Sequence, residues 1–329
     1  MHQIALIGAG RIGTVHAESI AAHPRLRLAC VADALPDAAG RLARHHGAAA
    51  VDVETALSMP GISGVVIASP TPTHVDLMLA AARRGHTVFC EKPVDLDLAR
   101  ARAAAEMLDT MGARVLIGFN RRFDPHFAAL RSRLADNALG AVEAVHIVSH
   151  DPAPPPIAYV ETSGGLFSDM VIHDFDMARW LMDAPFTGVF AQAACLIDPA
   201  IGAAGDVDTA RTILTTADGR MCTISSSRRS GYGYDQRIEV FGERGLIRAG
   251  NIARTSVEEW SADGCRSAPI QTFFLDRYAD AYRREIAHFA DILEGAAPLI
   301  DHHDGVAALA LAEAARRSMA SGRMEPVCP

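Results

Sequence analysis

Between Gly164 and Trp180 the chain reads GGLFSDMVIHDFDMARW, a helical stretch of largely apolar residues that carries Asp169, His173, Asp174, Asp176 and Arg179. At about 3.6 residues per turn, Asp169, His173, Asp176 and Trp180 share one face. Leu166, Met170, Ile172, Met177 and Leu181 spread over the others, so the segment reads as a buried helix. An acid and an imidazole there are costly unless they pair or do chemistry. The chemistry open to them is proton transfer, because an imidazole titrates near neutral pH and a carboxylate one turn earlier favours its protonated form. The structural alternative is a satisfied Asp/His hydrogen bond in a core, and the rest of the chain must decide between the two.

A second candidate is Glu91-Lys92-Pro93, which follows the strand Thr87 to Cys90. A lysine aimed into a cleft from a strand end can anchor a hydroxyl and stabilise alkoxide character. A surface ion pair is the plainer reading. A loop that must aim Lys92 sharply suggests a cis Lys92–Pro93 peptide.

A third lies at the start, where the apolar run Gln3 to Ile7 leads into Gly8-Ala9-Gly10-Arg11-Ile12-Gly13 and an alanine-rich helix. This is GxGxxG between strand and helix. Gly8 allows the tight turn, Gly10 lets the backbone approach a pyrophosphate, and Gly13 lets helix and strand pack closely. The second strand, Leu26 to Ala32, ends in Asp33, 20 residues beyond Gly13, where an acid can accept hydrogen bonds from a ribose. Asp33 repels a 2'-phosphate and Ala34-Leu35-Pro36 supplies no arginine to hold one, so NAD is the expected cofactor, with Arg11 and Ile12 also in its loop. Ser69, Thr71 and His74, after the fourth strand, either touch the cofactor or cap the next helix.

These residues need a frame. Strand and helix segments alternate to about residue 118, which predicts a doubly wound parallel sheet. The second half has a helix from Pro125 to Ala135, a strand Val142 to Val148, the loop Asp151-Pro152-Ala153-Pro154-Pro155-Pro156, the central helix, and strands at Val189–Leu196, Ala210–Thr216, Met221–Ser227, Arg237–Phe241 and Leu246–Ala249. The fold class is therefore α/β at the N-terminus, with a C-terminal α+β domain built on an open, mainly antiparallel sheet. The domains expected are 1–119 for NAD and 120–329 for substrate and oligomerisation through the sheet's free face.

Composition narrows the function. The 329 residues include 31 basic and 39 acidic side chains, for a net charge of -8 without a basic block, which argues against nucleic acid and anionic membranes as partners. The six cysteines are scattered without a CxxC pair, so neither a metal site nor a disulfide framework is expected. The N-terminus leaves no room for a signal peptide and no apolar run reaches the roughly 20 residues needed to span a bilayer, so a cytoplasmic location is expected.

Taken together, GAGRIG, EKP, GFNRRFD, DPAPPP, GGLFSDMVIHDFDMARW and YGYDQR resemble the Gfo/Idh/MocA oxidoreductase family along nearly the whole chain. The resemblance implies a Rossmann domain, a homotetramer and NAD-dependent oxidation of a cyclic polyol, with myo-inositol first and scyllo-inositol, other cyclitols, levoglucosan or a hexose behind it. By position it implies Lys92, Asp169 and His173 as the catalytic set, His173 being the base, and Arg121 and Tyr234 as further polyol contacts. His150 stands where similar members often carry arginine, which bears on substrate identity, and Asp176 has no assigned role. An NAD-using glycosidase of the same superfamily and a non-enzymatic sugar sensor are the readings from other classes; a sensor would be expected to lose Lys92 or His173, and both are present.

Overall fold

The computed structural model describes residues 1–328 and divides into two compact units, Met1–Phe123 with Ala281–Leu309, and Asp124–Asp280 with the described residues from Ala310 onward. The family of expected boundaries ends near residue 119. The return of 281–309 to the first unit is a long-range feature that no local pattern announces.

The first unit holds a six-stranded sheet among the described residues, made of β1 (His2–Ile7), β2 (Leu26–Ala32), β3 (Ala49–Ala50), β4 (Ile62–Ile67), β5 (Thr87–Glu91) and β6 (Val115–Gly118), in the order β3-β2-β1-β4-β5-β6. Each neighbouring pair is parallel. Runs such as Val65-Val66-Ile67 and Val88-Phe89-Cys90 are buried throughout, as strands covered on both faces must be. The order reverses direction between β1 and β4, and ligands bind at the carboxyl ends of the strands beside that point. Phe289, from helix Ala279–Leu293, packs where β4 has only Gly64; a Cβ there would come within 2.9 Å of its ring.

The second unit holds a seven-stranded sheet among the described residues: β7 (Val142–His150), β8 (Phe186–Ala194), β9 (Thr209–Thr216), β10 (Met221–Ser227), β11 (Asp235–Gly242), β12 (Gly245–Ala249) and the short terminal Glu325–Pro326. Its pairs are antiparallel except β10 with β7, so the sheet is mixed but mainly antiparallel. Val145, Ile147, Leu214, Cys222, Ile224, Ile238 and Val240 form its buried side. Helix Ile172–Met182 packs on β7 and β10. The hairpin Glu258–Ser261 with Gly264–Ser267 is exposed along its length.

Candidate active site

Gly8 takes φ +105°, and a Cβ there would lie 2.4 Å from the Ala68 carbonyl carbon, so only glycine lets this turn pass the end of β4. A Cβ at Gly13 would meet the Gly8 carbonyl oxygen at 2.0 Å, which fixes close contact between helix Arg11–Ala22 and the loop. At Gly10 a Cβ would have no atom within 4 Å, leaving open space over a helix start that has no side-chain cap and no acid in its first turn. A helix start that faces open space presents the positive end of its dipole, which suits a pyrophosphate. Asp33 Oδ2 accepts from the Ala9 N–H at 2.6 Å and Oδ1 from the Leu35 N–H at 2.8 Å. Each oxygen keeps a lone pair for a ribose hydroxyl. The residues present therefore fit NAD. Arg11 is exposed and Ile12 half-buried at the same helix start.

The loop after β4 departs from simple capping. Ser69 and Thr73 share a hydroxyl hydrogen bond of 2.6 Å, and no side chain caps helix His74–Arg83. Thr71 opens the single 3-10 turn before it. His74 is buried, with Nδ1 2.8 Å from the Pro93 carbonyl and Nε2 2.8 Å from the Ser69 carbonyl. Both nitrogens are thus taken up by the two loops, and any part His74 plays toward the cofactor runs through them.

The Lys92–Pro93 peptide is cis, as the sequence suggested. Glu91 is not simply a surface charge: its Oε1 lies 2.7 Å from Nε2 of the buried His16. Lys92 is half-buried beside it. Arg121 lies in the 3-10 turn Asn120–Phe123 with only 4% of its surface exposed.

In the second unit, Gly164 and Gly165 both take positive φ, and one turn of π-helix, Phe167–Val171, precedes the α-helix Ile172–Met182. The wider turn corrects the regular 3.6-residue face drawn from sequence. Asp169, His173 and Trp180 remain partly exposed, while Asp176 is fully buried. Asp169 is held from two sides: the Tyr159 hydroxyl donates to Oδ1 at 2.8 Å and Arg228 Nη1 approaches Oδ2 at 3.4 Å. Arg228, 1% exposed, also reaches Asp206 Oδ2 at 3.4 Å, and Asp206 Oδ1 accepts from the Leu166 N–H at 3.0 Å. One buried guanidinium thereby links the aspartate to the start of its own helix. Lost or doubled charge there would be costly.

Tyr234 is buried, edge-on to Tyr278 at 5.9 Å between ring centres. Its neighbour Asp235 is fully buried and accepts from Arg237, Tyr232 and Asn251. Burial pushes its carboxyl up, but those donors prevail and hold it below the ordinary aspartate value. His150 pairs with Asp235 across β7 and β11, and burial lowers its imidazole despite the aspartate nearby. His150 Nε2 is 2.8 Å from Ser225 Oγ.

His16, Tyr159, Asp206 and Arg228 were not singled out from sequence. Arg228 carries a weak signal, a charge at the end of a strand whose other residues alternate. Asp206 lies in a loop and Tyr159 in the one-turn helix Ile157–Val160, both too short of periodic context for spacing to say anything. Among the described residues the only group of potential metal donors within reach of one another is Asp109, His302 and His303, whose two imidazoles both approach Asp109 Oδ1, at 2.9 and 3.0 Å.

Comparison with known proteins agrees with this geometry. Residues 2–119 match the oxidoreductase family with an NAD-binding Rossmann fold, and residues 127–248 match the GFO/IDH/MocA C-terminal domain. The chain belongs to the Gfo/Idh/MocA family, and it is an NAD-dependent dehydrogenase acting on CH–OH. It is 48% identical over 97% of its length to the inositol 2-dehydrogenase of Rhizobium meliloti, of which 97% is covered. The crystal structure of a myo-inositol dehydrogenase from Corynebacterium glutamicum superposes with a TM-score of 0.95 at 43% identity, covering 100% of this chain and 99% of that one. The scyllo-inositol dehydrogenase of Lactobacillus casei, solved with NAD(H) and scyllo-inositol bound, gives 0.93 at 25% identity over 99% of each chain.

Proposed function

We propose that this enzyme oxidises a ring hydroxyl of a cyclic polyol, myo-inositol first, to the 2-keto inosose. The observation that carries the reading is that Asp169 and His173 stay partly exposed in an otherwise buried helix, with Asp169 fixed by Tyr159 and Arg228. A satisfied core pair has no need of exposure. The names borne by the 48% and 43% identical relatives support inositol as the substrate.

NAD, when bound, supplies the hydride acceptor. His173 takes the proton of the hydroxyl as the carbonyl forms, and Asp169 favours the imidazolium that results. Lys92 is the group proposed to anchor the hydroxyl and stabilise alkoxide character. Arg121 and Tyr234 hold neighbouring hydroxyls and so select the ring. The domains 1–119 and 120–329 divide the work between cofactor and substrate, and the enzyme acts in the cytoplasm. No helix among the described residues is long and apolar enough to cross a membrane.

A homotetramer is part of the proposal. Ile213, Met221, Phe241 and Leu246 are exposed large apolar side chains on β9 to β12, on the side opposite the buried core residues of the same strands. Exposed apolar groups on one sheet face favour cover by another copy.

The experiment is a panel of cyclitols, hexoses and levoglucosan with NAD, followed by NADH absorbance. Fastest turnover on myo-inositol is expected. NADH from a hexose but from no cyclitol overturns the substrate, and consumption of a glycoside without NADH accumulation would favour a glycosidase.

A further inference from the structure

Glu285, on helix Ala279–Leu293, has 0% of its surface exposed, and neither carboxyl oxygen has a hydrogen-bond partner. Packing alone does not account for it, because an apolar side chain of that length fills the same space without the cost of burying an unpaired polar group. Its charged neighbour is Glu91, at the end of β5. Glu91 Oε1 is 2.7 Å from His16 Nε2, and Oε2 lies over Gly118, where a Cβ would come within 3.0 Å of it. The His16 ring is fully buried, edge-on to Phe89 at 4.8 Å and to Tyr282 at 6.0 Å. Lys92 and its cis proline follow Glu91 directly.

On the same helix, Tyr282 three residues earlier meets the His16 ring at 6.0 Å and Phe289 four residues later meets Phe89 at 6.0 Å, so Glu285 sits on the face turned to β5 and His16. A carboxyl buried there without a donor does not ionise beside a second one. Glu91 has an imidazole partner and Glu285 has none, so the charge goes to Glu91 and the proton to Glu285. We infer that Glu285 is a positioning residue for Lys92: kept as the neutral acid, it leaves Glu91 to carry the single negative charge, fixed on His16, and so holds the strand end from which Lys92 projects. The inference rests on the reading of Lys92 as a group that meets cofactor and substrate.

Burial first, and Glu91 second, raise the Glu285 carboxyl well above the ordinary glutamate value. The titratable groups on this face are Glu91 from β5, with Cys90 before it in the strand, His16 bonded to Glu91 from helix Arg11–Ala22, and Tyr282 and His288 one turn away on its own helix. Of these, the Cys90 thiol is itself pushed well up by burial, and burial lowers the His288 imidazole. Ionising Glu285 at alkaline pH sets a second negative charge against Glu91 and loosens the turn that carries Lys92.

The test compares the wild-type enzyme with Glu285→Gln, which keeps shape but cannot ionise, and with Glu285→Met as the second variant should the glutamine not fold. The infrared difference spectrum at neutral pH is expected to show the C=O band of a protonated carboxylic acid, shifting in D2O, in the wild-type only. NADH affinity, read by fluorescence across pH and needing no substrate, is expected to change by less than about threefold at neutral pH. On the alkaline side the wild-type affinity falls, and in the variant that fall moves up by about one pH unit or more, or disappears. A missing acid band overturns the protonated Glu285. Superimposable pH profiles overturn its link to Lys92. A wrong substrate would show instead as a wild-type enzyme silent on every cyclitol, with both of these readouts unchanged.

Discussion

Asp169 accepts from Tyr159 and faces Arg228, so its orientation is set by groups outside the helix that carries it. His173→Ala and Lys92→Ala are each expected to lower kcat by about 10²- to 10⁴-fold, the range for a positioned proton-transfer group, as measured by steady-state NADH formation. Near wild-type rates in either variant would remove that residue from the mechanism. Arg228→Ala leaves Asp169 and Asp206 without the buried cation they share, and denaturant unfolding should show a loss of about 3–5 kcal/mol. Asp33→Ala is expected to narrow the preference for NAD over NADP, read as a ratio of kcat/KM values; an unchanged ratio would count against its role. At this scale the residue types were legible in the chain, because Asp169, His173 and Lys92 stand out as ionisable groups in apolar or strand-end settings. Their supports were not. Tyr159, Asp206 and Arg228 reach Asp169 and its helix start from segments 10 to 59 residues away in sequence, through contacts that periodicity does not encode.

The elements owe their positions to a few glycines and one irregular turn. Gly165 has φ +82°, and a Cβ there would lie 2.8 Å from Asp206 Oδ1, so Gly165→Ala meets both an unfavourable backbone region and the carboxylate that accepts from Leu166. A loss of about 1–3 kcal/mol is expected by thermal or urea unfolding, with a drop in kcat at temperatures where the variant is folded. The glycine loop could be read from spacing alone because each glycine answers a steric need within the motif. The π turn at Phe167–Val171 could not, since an extra residue per turn leaves no mark in a stretch that is apolar on nearly every face. For that reason Asp169 was drawn in line with His173 on a regular helix, while Asp176, which shares the regular helix Ile172–Met182 with His173, differs from it in being fully buried.

In the whole molecule, acid and base dependence follows from buried groups. Glu285 is raised in the folded protein, so below the ordinary glutamate range, about 4.3, both folded and unfolded forms hold its proton. As pH rises above that value the unfolded chain loses the proton first, and folding stability falls until Glu285 itself ionises. Denaturant midpoints measured from acid to alkaline pH should show this slope in the wild-type and not in Glu285→Gln. The doubly wound sheet was legible because strands and helices alternate along the chain. The return of Ala281–Leu309 to the first unit was not, since Phe289 recognises the gap at Gly64 only after the sheet exists. The proposed assembly is tested by Phe241→Glu with Ile213→Glu, which should convert tetramers to smaller species in sedimentation. The most direct test of the central claim is the initial rate of NADH formation from myo-inositol and NAD by the wild-type enzyme and by His173→Ala. The wild-type should turn over and the variant should fall by at least about a hundredfold; equal rates, or none in the wild-type, would contradict the account.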